Sequence, residues 1–339
     1  MTKEATSSQH PPPLARLTAL AVLLLAPILA LSLSTWAANG SLWFLGMLPA
    51  AIGLSSSPRL AAGAALLTPT LMGPALLFRE LPAVGSMYMA LIGVAVGLSA
   101  LRGWNVVGSF AGPMAALALI GAPQVAIASG TVRAESSLEA GLAMMGFVAA
   151  GGLWTTLIGR HLVAIKRPRA PMVVPLHTAR YFAVALAVPV GVATYIAMTW
   201  LTSPNAWWLI LTLFVVVQPY YAAASHKVMA RVVGTLAGTL LAIAVAELLK
   251  HQPVIITIVA LVLTVAAAWA NLTRPYWVFV LFLTPAVVLQ ITGGPSAIIT
   301  SALDRALYTT VASVAAIVLL TIGHTLITRK ARKSPAPVD

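Results

Sequence analysis

Cysteine is absent from the 339-residue sequence, which excludes disulfides, thiolate metal sites and cysteine nucleophiles. Charge is nearly as scarce. Only 8% of the residues are charged and seven are acidic, against roughly a quarter charged in ordinary soluble domains. So few charges cannot clothe a chain of this size in water, so a soluble enzyme and a disordered protein are excluded. The formal net charge of +13 invites a nucleic-acid reading. The basic residues, however, sit in short clusters between long uncharged runs, the pattern of topology signals in a bilayer. No nucleic-acid partner is expected.

Signs of catalysis are missing too. No Gly-rich loop precedes Lys-Ser or Lys-Thr, so nucleotide binding has no support. The six histidines fall into no HxxxH or HExxH spacing, so no metal is expected, and no GxSxG elbow is found. The sequence reads as a non-enzyme without a cofactor. Asn39-Gly40-Ser41 and Asn271-Leu272-Thr273 fit a glycosylation pattern and are read as accidental.

What is present is apolar length. A helix needs about 20 apolar residues to cross a bilayer. Arg16 and Arg59 enclose 42 uncharged residues, room for two crossings around Asn39-Gly40, and runs 60–78, 81–101, 103–132 and 140–159 supply four more. Beyond the basic stretch, run 181–226 supplies two around Ser203-Pro204-Asn205, and 232–246, 251–273, 275–303 and 306–328 supply four. The first run also fits a signal peptide, but its length and its later counterpart favour a span. The expected fold is all-α and integral to the membrane, with 12 transmembrane helices.

The two sets of six are related in sequence. Thr35-Trp36 and Trp43 match Thr199-Trp200 and Trp207 at an offset of 164. From Arg59 the offset is 172: Arg59 matches Arg231, Arg102 matches Arg274, Arg133 matches Arg305 and Arg160 matches Arg332. Trp104, Phe110 and Pro113 likewise match Tyr276, Phe282 and Pro285. One eight-residue insertion near Gln218–Val228 accounts for the change of offset. Six helices per repeat is even, so the two repeats are expected to be parallel, with a substrate site between them near mid-membrane.

With the N-terminus inside, sixteen Lys and Arg fall on inner segments and four (Arg79, Arg133, Lys250 and Arg305) on outer ones. Both termini are expected in the cytoplasm. The organisation is then a tail (1–16), a degenerate first repeat (17–159), a basic linker (160–180), a second repeat (181–328) and a basic tail (329–339).

A cation at membrane depth is a functional candidate by default. Arg59, Arg102, Arg231 and Arg274 lie at inner helix ends, where anchoring to lipid phosphates is the competing reading. Arg133 and Arg305 lie on the outer side, where that pressure does not act. Asp304 beside Arg305 is a candidate proton-coupling residue, with a solvated helix start as the alternative. Tyr276 and Trp277 next to Arg274 offer π-faces and a cation to an aromatic anion, although interfacial belts explain most aromatics here, Trp207 and Trp208 included. Gly234 and Gly238 permit close helix packing and line a path if one runs there. Pro113 and Pro285, mid-helix in each repeat, predict kinks.

The stretch Ala206-Trp207-Trp208, Val217-Gln218-Pro219 and Arg231-Val232-Val233-Gly234-Thr235-Leu236-Ala237-Gly238 resembles the fusaric-acid-resistance/aromatic acid exporter (FUSC-like) family. Tyr276 with Phe282-Leu283-Thr284-Pro285, and Arg305-Ala306-Leu307-Tyr308-Thr309-Thr310, extend the resemblance over roughly 180–328. The first half keeps the arginines but has Ala62-Gly63-Ala64 where Gly234-Thr235 would fall. The resemblance implies export of small aromatic carboxylic acids or similar anions from a Gram-negative inner membrane, with a periplasmic membrane-fusion adaptor and an outer-membrane channel as partners. A passive anion channel and a non-transporting scaffold subunit of an efflux complex stay open as alternatives, as does a homodimer.

Overall fold

The computed structural model describes residues 14–121, 123–163, 172–201, 203–292 and 295–333. These residues form twelve α-helices and one β-hairpin. The first half contains α1 (Leu14–Ser32), α2 (Ala37–Leu54), α3 (Pro58–Leu77), α4 (Pro82–Ser99), α5 (Asn105–Ala116), β1 (Gln124–Ile127), β2 (Gly130–Arg133) and α6 (Leu138–Val163). The second contains α7 (Leu176–Thr199), α8 (Trp207–Val216), α9 (Tyr221–Leu248), α10 (Pro253–Thr273), α11 (Tyr276–Ile291) and α12 (Pro295–Lys333).

The number of helices is the one expected, but they are not twelve equal spans. Eight are long and apolar enough to cross a membrane, while the helical stretches Ala19–Ser32, Asn105–Gly121, Pro204–Val216 and Tyr276–Ile291 are shorter. The ten residues of α8 rise about 15 Å, half of a ~30 Å hydrocarbon core. All ten are buried. A half-length helix is tolerated at depth because protein, not lipid, surrounds its ends.

Run 103–132 is not one span. After α5 a single π-turn (Leu117–Gly121) closes the helix, and the chain enters the antiparallel β1–β2 hairpin, with Gln124 opposite Arg133 and Ile127 opposite Gly130. Pro123 cannot donate to a continuing helix, and its carbonyl accepts from the Ala134 amide at 2.9 Å at the base of the hairpin. Gly130 takes φ 123° in the turn, a conformation that side chains resist. The otherwise all-α expectation therefore misses one small sheet.

The hairpin is fastened by Asn39 of α2. Its amide donates to the Ala126 carbonyl and accepts from the Ala126 amide, both at 2.9 Å. Asn39 is fully buried, which removes its glycosylation pattern from consideration. Asn39→Ala strands a buried backbone donor and acceptor and is expected to cost about 1–3 kcal/mol. Faster amide hydrogen exchange over 124–133 is the expected readout, with slow exchange in α7–α12 unchanged.

Boundaries also shift. Helix α6 runs through Val163 and α7 starts at Leu176, so the linker is helical at both ends; 164–171 lie outside the described residues, as does the tail before residue 14. Helix α12 continues to Lys333, past the expected limit at 328. Helix α9 starts ten residues before Arg231, not beside it. Its 28 residues exceed the 20 of α3 by eight, the same step by which the sequence offset rises from 164 to 172. Two extra turns thus precede Arg231.

One large hydrophobic core joins both halves, and a smaller one lies among α9–α12. In the first half α2 packs on α6, α3 on α5 and α6, and α4 on α5; in the second, α8 packs on α12, α9 on α11 and α12, and α10 on α11. Between halves α4 packs closely along α7 and α5 on α8, while α1 meets α10, and α2 meets α11, only lightly. The α4–α7 seam is closed by glycine. A Cβ on Gly93 would lie 2.8 Å from the Ala187 Cα, and one on Gly97 would overlap Ala183.

Candidate functional site

Arg231 and Arg305 are among the largest fully buried side chains, at 1% and 2% exposure. Each lies ten residues from the start of its helix, about 15 Å along the axis. The tertiary fold brings them together: Arg231 and Tyr276 both lie within electrostatic reach of Arg305. An Arg231 Nη1 proton is donated to the Tyr276 hydroxyl at 3.2 Å. Lys227, one turn before Arg231 and partly buried, places its Nζ 5.5 Å from the centroid of the Tyr276 ring. The Arg305 guanidinium stands 4.0 Å from the centroid of Trp208, whose ring stacks on Trp207 at 3.7 Å.

Three cations from two helices thus share one interior with no acid among them. Among the described residues, the ion pairs are Arg79–Glu135 at 2.9 Å and Arg133–Glu135 at 3.9 Å, both at the hairpin. Asp304, expected as a neighbour pair with Arg305, turns away. One carboxylate oxygen accepts from the Ser203 hydroxyl at 2.6 Å and from the Asn205 amide at 3.0 Å. It ties α12 to the turn before α8.

Donors remain unspent around the cations. Nε of Arg231, Nε and Nη1 of Arg305, Nε1 of Trp208 and the hydroxyls of Thr235 and Thr284 are buried without a hydrogen-bond partner among the described residues. Lone buried donors each cost free energy, and a buried charge costs more. Such an arrangement is suited to accept an anion, whose oxygens satisfy donors and charge together.

The cations continue into two polar stripes. On α9, Lys227, Arg231, Thr235 and Thr239 recur at every fourth residue, and on α12 so do Ser301, Arg305, Thr309 and Ser313. That spacing keeps each set on one helix face. Apart from Lys227, all are buried. The Thr239 hydroxyl donates across the helices to the Ala302 carbonyl at 3.3 Å, and the Thr212 and Thr309 hydroxyls lie 3.3 Å apart.

Of the sequence-selected residues, the fold gathers Arg231, Arg305 and Tyr276. Gly234 and Gly238 let α9 lie on α11: an added Cβ at Gly238 would sit 2.7 Å from Leu281 O and Thr284 Cβ. Pro285 and Pro113 are buried inside α11 and α5. Arg274, Trp277, Arg59 and Arg102 are exposed. Arg274 lies 5.0 Å over Trp269 and Arg102 5.3 Å over Trp104, so each engages an aromatic ring near its own helix end and not the cluster. Arg133, at 67% side-chain exposure, is on β2. In the first half, glycine lets α2 and α6 approach closely, where Cβ atoms on Gly46 and Gly151 would overlap the backbones of Val148 and Trp43.

Lys227, Trp208 and the hydroxyl stripes escaped the sequence reading. Trp207 and Trp208 looked interfacial but are 1% exposed. The fourfold spacing was the available signal. Two open clefts of about 560 and 520 Å³ lie elsewhere, one beside Trp43, Trp154 and Arg160, the other beside Ala187, Gly191 and Tyr195.

No curated protein and no solved structure matches the chain. Residues 190–319, which carry Trp208, Lys227, Arg231, Tyr276 and Arg305, match the family model of fusaric acid resistance protein-like proteins, so the chain is similar to that family over that stretch, and eight of its helices are long and apolar enough to cross a membrane.

Proposed function

We propose that this protein is a secondary transporter that exports organic anions, aromatic carboxylic acids among the candidates, across a bacterial inner membrane. It is driven by the proton gradient and works with a periplasmic membrane-fusion adaptor, and both termini are cytoplasmic. The observation that carries this reading is the cluster of buried Arg231 and Arg305 with partly buried Lys227, with open donors on the two arginines and no acidic partner among the described residues. A structural role alone leaves those charges uncompensated; a passing anion gives them a function.

Two parallel repeats are part of this reading. The helix pairings of the first half recur in the second, and the contacts α4–α7 and α5–α8 correspond to α10–α1 and α11–α2 under exchange of halves. In this account the second repeat handles the anion and the first is the packed partner against which it moves.

Asp304 is the proposed proton-coupling residue, since its protonation removes the acceptor that holds Ser203 and Asn205. In proteoliposomes with an imposed pH difference, the wild type is expected to accumulate organic anion against its gradient. Asp304→Asn is expected to retain anion exchange at equal pH and lose the pH-driven accumulation. Accumulation by Asp304→Asn at the wild-type level removes the coupling role.

A passive anion channel is the second reading, and the hydroxyl stripes on α9 and α12 are the observation that favours it, because they extend the cation cluster along the bundle. Equilibration without accumulation in the same vesicles selects the channel.

A further inference from the structure

The cluster invites the idea that an aromatic acid lies with its ring on a π-face and its carboxylate on a cation. The geometry leaves little room for it. Trp207 lies 3.7 Å from the Trp208 centroid and the Arg305 guanidinium 4.0 Å from it. Two groups that close to one centroid would collide on the same face, so they occupy opposite faces. The Tyr276 ring takes Lys227 at 5.5 Å, with Phe279 tilted against it at 5.9 Å. The rings are therefore employed in holding cations. What remains unpaired instead is a set of edge donors: Nε of Arg231, Nε and Nη1 of Arg305, and Nε1 of Trp208 are buried without a partner among the described residues. Every one of them donates, and two guanidinium groups and an ammonium stand behind them.

We infer that this site selects its anion by charge and not by an aromatic ring, and that its preferred ligand is a small anion with two negative charges, such as a dicarboxylate, bound through the open edges of Arg231 and Arg305. A monoanion leaves two of the three cations without a counter-charge in a buried interior. A dianion leaves one, and that one, Lys227, is the member of the set that is only partly buried. Guanidinium edges suit carboxylates because two parallel N–H donors meet two oxygens. The Thr235 and Thr284 hydroxyls add neutral donors.

This inference rests on the anion-transport reading above, and the test separates the two. Purified protein in proteoliposomes is loaded with each of three probes in turn, and counterflow of the labelled probe is measured at equal pH. The probes are succinate, its monoamide succinamate (similar in size, with one charge fewer) and benzoate (aromatic, with one charge). Succinate is expected to exchange at least about tenfold more effectively than succinamate or benzoate, as for loss of one charge-assisted contact. Arg231→Gln and Arg305→Gln are each expected to bring succinate down to the succinamate level. Benzoate exchanging better than succinate, or succinamate matching it, overturns the charge-selection proposal and leaves anion transport standing. Exchange of none of the three, with no binding in detergent, overturns the transport reading as well. The comparison of probes is made on the wild type, so it does not depend on any variant folding.

Discussion

Arg305→Gln is expected to reduce anion transport by about 10- to 100-fold while leaving the protein folded and more resistant to heat. The first half of that expectation follows from the loss of a charge-assisted contact of about 1.5–3 kcal/mol at a group that is 2% exposed and has two open donors. The second follows from removing a buried cation that no acid neutralises, against which only a cation–π contact of about 0.5–2 kcal/mol with Trp208 is lost. Stability and activity then move in opposite directions, as is common where a functional site is built at the expense of stability. Arg274→Gln is the matched control. Its guanidinium is exposed over Trp269, so transport is expected to change less than about threefold. Flux in proteoliposomes and a thermal unfolding curve in detergent read both quantities. A fall in melting temperature of Arg305→Gln together with lost transport would mark the residue as structural.

Gly97→Val is expected to be the most damaging substitution outside the cluster. The side chain enters the space of the Ala183 backbone on α7, where neither partner is the free end of a flexible chain. Overpacking a side chain costs about 1–3 kcal/mol, and backbone against backbone costs more because two helices must separate. This seam is the closest contact between the two halves, so its loss is expected to yield aggregated protein in size-exclusion chromatography. Gly63→Ala provides the contrast. Nothing lies within 4 Å of the added Cβ, and the position is inside α3, so a gain of about 0.5–1 kcal/mol is expected.

Much of the architecture was legible in the order of residues. Twelve helical segments can be read from runs of uncharged residues between the few charges. Helix lengths were less legible. Hydropathy marks α8 and α11 as strongly as any span, because burial in protein and burial in lipid demand the same apolar side chains. The β1–β2 hairpin escaped notice for a similar reason: Val125, Ile127 and Val132 suit a covered sheet and a membrane helix equally well.

The candidate site was legible in part. Arg231, Arg305 and Tyr276 stood out because cations and aromatics are rare in such a chain. Their four companions, Arg59, Arg102, Arg133 and Arg274, stood out equally and lie on the surface. Periodicity along a single helix cannot separate the two groups, since which face a residue occupies says nothing of what that face meets.

By itself the sequence determined that the chain is helical, with segments apolar enough to cross a membrane, and that few cations fall among them. Both follow from local quantities: the transfer free energy of successive side chains and the few charges between them. Only the tertiary structure decided which cations converge. The extra turns of α9 place Lys227 one turn below Arg231, α12 brings Arg305 within electrostatic reach of Arg231, and α8 lays Trp208 under it. The aromatic faces were likewise assigned to cations by packing, because the contacts Lys227–Tyr276 and Trp208–Arg305 join residues 49 and 97 positions apart, and no local window along the chain contains such a separation.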